Sequence, residues 1–261
     1  MSFMVITAGE KLPEFSVLAQ VLSTALNLDR DTAAGAARRC WGLLGRDLEE
    51  AAAAGLEARC AEFGVATLRF PCPQPPLPEA EKVKAVSFAG GSAVFSLSGA
   101  AAVQAAPGDI TVLAAAPVKQ ETLRSVKTTE GPSSREKAVR LGIMAATGLP
   151  IGMGKSKEVN REVRGSEMSF CLDLLLDRQG RRLRVTPEDF DFSCLKANKT
   201  YSSQVNLRLF CAEAAAFAPG AARNTGLLAM LASRPLSALP YDSLEDLERE
   251  EFRLLLATRG A

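Results

Sequence analysis

The sequence predicts an α+β protein, and three observations carry that prediction. From Ser169 to Asp177 the apolar residues Phe170, Leu172, Leu174 and Leu176 take alternate positions, with Ser169, Cys171 and Asp173 between them, which is the period of a strand. Asp177-Arg178-Gln179-Gly180 then has turn chemistry, glycine supplying the positive φ, and Arg182-Leu183-Arg184-Val185 resumes the alternation, so a β-hairpin is expected. After a polar break the period changes. Leu207, Phe210, Cys211, Ala214 and Phe217 stripe one face of a helix that Ser202 or Ser203 opens and Pro219 closes. With so short a link, the hairpin face and the helix stripe are expected to bury each other. Thirdly, Pro71-Cys72-Pro73-Gln74-Pro75-Pro76-Leu77-Pro78 divides the chain with a semi-rigid spacer.

In chain order, Phe3 to Ala8 reads as a strand. Phe15, Leu18, Leu22, Ala25 and Leu26 mark a helix over Glu14 to Leu26, and Asp29 or Asp31 starts a second helix through Cys40 and Trp41. Arg46 to Phe63 is expected as a third helix, and Val65 to Phe70 as a strand returning beside the first. The order is β-α-α-α-β. With Ala8-Gly9 after the first strand and Gly64-Val65 before the last, it resembles the C-terminal domain of the ribosomal stalk protein and the Clp-protease adaptor fold, a ferredoxin-like arrangement. That resemblance implies docking of protein ligands and carries over no individual residue.

Beyond the prolines, Val83 to Phe88 and Ser92 to Ser98 flank Ala89-Gly90-Gly91, a second hairpin signal. Ile110 to Val118 is a further strand, and Thr122 to Thr128 continues the sheet. An antiparallel sheet or barrel capped by a helix, over about residues 80 to 218, resembles pleckstrin-homology-like (PH-like) domains; this implies binding of peptides, partner proteins or lipid head groups and no shared catalysis. The tail carries Leu227, Leu228, Met230 and Leu231, then a helix that Ser243 and Asp246 open as a capping box. Its stripe of Leu244, Leu247, Phe252, Leu255 and Leu256 must be buried, on this chain or on a partner. The expected divisions are 1–70, a linker at 71–80, a sheet-and-helix domain at 81–218 with an insertion at 130–167, and a helical tail at 219–261.

A net charge of +1 selects no partner. The distribution is uneven: Lys119 to Arg184 holds 14 bases against 8 acids, and Tyr241 to Arg253 holds six acids against two bases. Either the two regions meet in the fold or the basic one faces an anionic partner. No apolar stretch is long enough to span a membrane, and the start lacks a secretion signal, so a cytoplasmic protein is expected. Cys40, Cys60, Cys72, Cys171, Cys194 and Cys211 form no C-x-x-C pair and are expected as buried thiols.

The absence of histidine removes Ser-His and Cys-His nucleophile pairs and histidine-zinc sites. Gly148 to Ser156 resembles a phosphate-cradling loop, but Leu149 stands where such a loop needs its first glycine. Weaker anion binding by Gly152, Gly154, Lys155, Ser156 and Lys157 is the alternative to a plain glycine-rich insertion. Asp189 and Asp191 alternate with Phe190 and Phe192, either as paired carboxylates able to do acid–base work or as the wet face of an edge strand. Arg178, Arg181, Arg182 and Arg184 form a basic patch around the hairpin turn, either as a solvated turn or as a phosphate contact. No aromatic side chains interleave with them to stack bases, so no nucleic acid is expected. The resulting expectation is a non-catalytic protein-interaction or regulatory module, with no cofactor, whose partner is another protein. The alternative is an anion-binding protein or small enzyme using the 148–156 loop.

Overall fold

The computed structural model describes residues 1–130, 157–234 and 241–260, with side chains described throughout these except at 119–130 and 157–167. An α+β architecture is confirmed, built on two open sheets.

The smaller sheet belongs to the N-terminal region, which runs β1 (Phe3–Thr7), α1 (Phe15–Leu26), α2 (Arg30–Cys40), β2 (Leu43–Leu48), α3 (Glu50–Glu62) and β3 (Thr67–Pro71). Strand order is β2-β1-β3, with both pairs antiparallel. Asp29 caps α2 by accepting from the backbone N–H groups of Asp31 and Thr32. The expected third helix from Arg46 is corrected here, because a strand intervenes and the order is β-α-α-β-α-β. Trp41 and Gly42 have φ of 49° and 80°, which reverses the chain straight after α2, and Asp47 at φ 56° cannot lie inside a right-handed helix. One face of this sheet buries Val5 and Leu44 against Leu18, Val21 and Leu22 of α1, Ala37 of α2 and Ala53, Leu56 and Cys60 of α3.

The larger sheet contains β4 (Ala80–Ala89), β5 (Ser92–Leu97), β6 (Val103–Ala105), β7 (Val112–Glu130), β8 (Lys157–Leu176), β9 (Arg181–Val185) and β10 (Ala222–Arg223), in the order β10-β7-β8-β9-β4-β5-β6. Both expected hairpins form. Gly90 and Gly91, at φ 57° and 77°, turn β4 into β5, and Gly180 at φ 61° completes the turn between β8 and β9. The helix expected after the second hairpin is α4 (Ser203–Phe217), capped by Ser202. Leu172, Leu174, Leu183 and Val185 pack in one cluster with Leu207, Phe210, Cys211 and Ala214, as their periods require.

An antiparallel barrel does not form. β10 lies parallel to β7, and β4 lies parallel to β9. The physical reason is that both faces of the sheet are covered, so it has no need to curl round its own core. One face carries α4 and α5 (Thr225–Leu231). The other carries α6 (Leu244–Arg259), through Leu247, Leu254 and Leu255 against Val112, Ala114, Ala116, Cys171 and Leu175.

Although read from sequence as a tail, α6 is the central layer. Its opposite side, Phe252, Leu256 and Ala257, packs on Met4 and Ile6 of β1 and on Leu68 and Phe70 of the smaller sheet. Of the tail stripe, Leu247, Phe252, Leu255 and Leu256 are therefore buried on this chain, and Leu244 stays exposed. The chain forms two compact units, Met1–Lys119 with Met168–Ala261, and Gln120–Glu167; the proline segment at 71–80 lies inside the first.

Candidate functional site

A cleft of about 720 Å³ opens where the start of α1 and the end of α2 meet α5 and α6. Leu12, Pro13, Phe15, Leu18, Trp41 and Leu228 give it apolar walls, and Lys11, Arg38, Arg39 and Arg234 bring four cations against the carboxylates of Asp242 and Asp246. All four cations are exposed. Arg38 and Arg39 complement the negative end of α2, and Arg38 also lies over the Phe15 ring, 5.0 Å from its centre. Among the described residues none of the four forms an ion pair.

Behind the wall lies a buried polar network. Trp41 stacks on Tyr241 with ring centres 4.5 Å apart. The Tyr241 hydroxyl donates a short hydrogen bond to Glu250 and accepts from Asn224 Nδ2 at 2.8 Å and the Gly226 N–H at 3.1 Å. Glu250 also accepts from the Thr225 N–H and hydroxyl, at 3.1 and 2.7 Å. Arg253, wholly buried, donates to the carbonyls of Gly9 and Glu10 at 2.6 and 3.0 Å, tying α6 to the loop that leads into the cleft. Burial and the adjacent Glu250 carboxylate hold the Tyr241 phenol well above its usual range, so it serves as a fixed donor. Glu250 and Arg253 face each other at 3.8 Å within this network, while Trp41 Nε1 and Arg253 Nε find no hydrogen-bond partner among the described residues.

A second cleft, about 780 Å³, lies beside the proline segment, where Arg46, Arg182, Arg184 and Arg249 are matched by Asp47, Glu79, Glu245 and Glu248. It contains the arginines of the hairpin. Asp173 receives Arg184 through Nε and Nη2 at 2.7 and 2.6 Å, and Arg182 through Nε at 2.8 Å. Arg182 reaches on to Glu248 and Glu251 of α6, each at 3.0 Å, and Arg181 pairs with Glu81. Of the expected basic patch, then, Arg178 stays exposed while Arg182 and Arg184 are turned inward. That part of the patch is held by carboxylates of this chain. Part of the basic middle has met the acidic end inside the fold. Glu251 is pushed well above the usual carboxyl range, first by burial and then by the Asp173 charge, whereas the two arginines hold Asp173 below its range despite its burial.

Asp189 and Asp191 do not share a strand face. Asp189 lies in a turn beside Lys84 and Lys82, and Asp191 caps the 3-10 segment Phe192–Asn198 and meets Lys199 at 3.2 Å. Phe190 and Phe192 are buried. Gly152, Gly154, Lys155 and Ser156 lie outside the described residues, and of Lys157, which opens β8, only the backbone is described. All six cysteines are free; Cys60, Cys171 and Cys211 are buried, and burial raises Cys60 to about 11 and Cys211 to about 12. Among the described residues no cluster of His, Cys, Asp or Glu could hold a metal ion, and no helix is long and apolar enough to cross a membrane.

The cleft was not legible in sequence. Its only local signal is Arg38-Arg39 beside the single tryptophan at a helix end; its remaining walls come from Lys11 to Leu18, before and within α1, and from residues almost two hundred positions away in and around α5 and α6. No protein-family model, curated protein or solved structure matches the chain.

Proposed function

We propose that the protein is a non-catalytic interaction module that engages a partner protein in the cleft between α2 and α5. The observation that carries this reading is an open, apolar-walled concavity rimmed by four cations that lack ion-pair partners among the described residues. Its volume falls within the roughly 300–1,000 Å³ typical of ligand-binding pockets. By contrast, the ionisable groups buried behind it neutralise one another, which suits a scaffold better than a reaction centre. Site-specific photo-crosslinking in cells tests the proposal. Phe15 at the cleft and Tyr201 elsewhere on the surface are both exposed aromatics, so a benzophenone side chain replaces either without disturbing the core. A discrete crosslinked product from position 15 and none from position 201 is expected. Equal products from both positions, or none from 15, would overturn the reading.

A further inference from the structure

This inference rests on the cleft being the working site. We propose that the occupant is a short acidic segment of the partner protein that presents an apolar side chain between its carboxylates. The positive rim comes from three separate stretches: Lys11 before α1, Arg38 and Arg39 closing α2, and Arg234 after α5. Cations drawn from distant parts of the chain to one opening, two in excess of the carboxylates there, create a local positive potential that the near-neutral whole does not have. The walls of Leu12, Pro13, Phe15 and Leu228 leave apolar surface that inorganic anions cannot cover. Scale decides between a segment and a folded face. Globular partners each bury about 800 Å² across a broad patch, whereas this concavity admits only a few side chains. An acidic, apolar-anchored segment satisfies the charge, the walls and the size together.

Trp41 is the only tryptophan in the chain and lines the cleft, so occupancy can be read without a label. The probe is a synthetic peptide of alternating glutamate and leucine, titrated into the full chain while Trp41 emission is followed. A saturable change is expected, weakening as salt shortens the range of the rim charges. The Arg39→Glu/Arg234→Glu double variant should bind about tenfold more weakly, the order of effect expected from reversing rim charges. Both residues are exposed, and an unchanged melting temperature shows that the fold survives. Arg178→Glu, on an exposed turn outside the cleft, should bind as wild type does. A glutamine-leucine peptide binding as tightly as the glutamate one, or no emission change with the glutamate peptide, would overturn the acidic-segment proposal. If the crosslink at position 15 persists, that failure leaves the cleft as the working site; if the crosslink is absent, the functional reading itself fails.

Discussion

Gly226 shows how closely the wall of the cleft is fitted to the larger sheet. A Cβ at this position would lie 2.0 Å from the Ala115 carbonyl oxygen and 2.8 Å from the Tyr241 ring. Backbone cannot yield as a flexible side chain does, so Gly226→Ala must push α5 off β7. The expected cost is at least about 1–3 kcal/mol, the usual range for overpacking, seen as a lower urea midpoint together with a changed Trp41 emission, because Tyr241 carries the stack. Asp173 is the other residue on which much converges. Its carboxylate answers two arginines inside the core, and Asp173→Asn would leave them without a full counter-charge. A loss of about 3–5 kcal/mol is expected, since breaking a buried pair strands a charge; chemical denaturation of the variant measures it. The sequence marks neither residue. Gly226 looks like one member of an Asn-Thr-Gly turn, and Asp173 looks like the polar half of an alternating strand.

At the scale of elements, legibility followed local period. The β8–β9 hairpin and α4 were readable because Leu172 and Leu174 line one sheet face against Leu207 and Phe210 of α4, and the alternation survives although Cys171 and Leu175 are buried on the other face by α6. β2 was hidden because Leu43 to Leu48 contains Gly45 and a left-handed Asp47 and owes its strand to pairing with β1. The central role of α6 was hidden for the opposite reason: a helix buried on several sides, with Glu250, Glu251 and Arg253 wholly enclosed, reads in sequence as an acidic amphipathic tail. Its contact with the larger sheet should depend on pH through Glu251. The unfolded chain loses this proton near the ordinary value of 4.5, whereas the fold retains it to a higher pH. As pH rises from 4.5 toward the raised folded value, stability must therefore fall. Asp173, with its lowered value, acts in the other direction, contributing stability above the ordinary 3.8 that is lost as pH falls through the folded value. Glu251→Gln keeps a donor toward Asp173 without the proton. The difference in urea midpoint between variant and wild type should therefore grow in favour of the variant as pH rises above 4.5, and a flat difference would place the proton elsewhere.

For the first compact unit as a whole, the layers follow from α6 lying between two sheets, because removing contacts on either side of one helix must be felt by both. Leu254 faces the larger sheet and Leu256 the smaller, and each is fully buried. Leu254→Ala and Leu256→Ala should each cost about 2–5 kcal/mol, the range for a buried leucine truncated to alanine. Two probes then separate one cooperative structure from two stacked ones. Trp41 emission reports the junction at the end of α2, while far-ultraviolet circular dichroism reports the sum of all helices and strands. If α6 binds both sheets into one cooperative structure, the two signals coincide across the urea transition in wild type and in both variants, with the midpoint shifted to lower urea in each variant. If the smaller sheet with α1, α2 and α3 were independent, Leu256→Ala would uncouple it, and the circular dichroism curve would divide into separate steps. Coincidence is expected, because Met4 and Ile6 are covered on their face of β1 by Phe252, Leu256 and Ala257 of α6, and that face left open to water could not keep the smaller sheet folded alone.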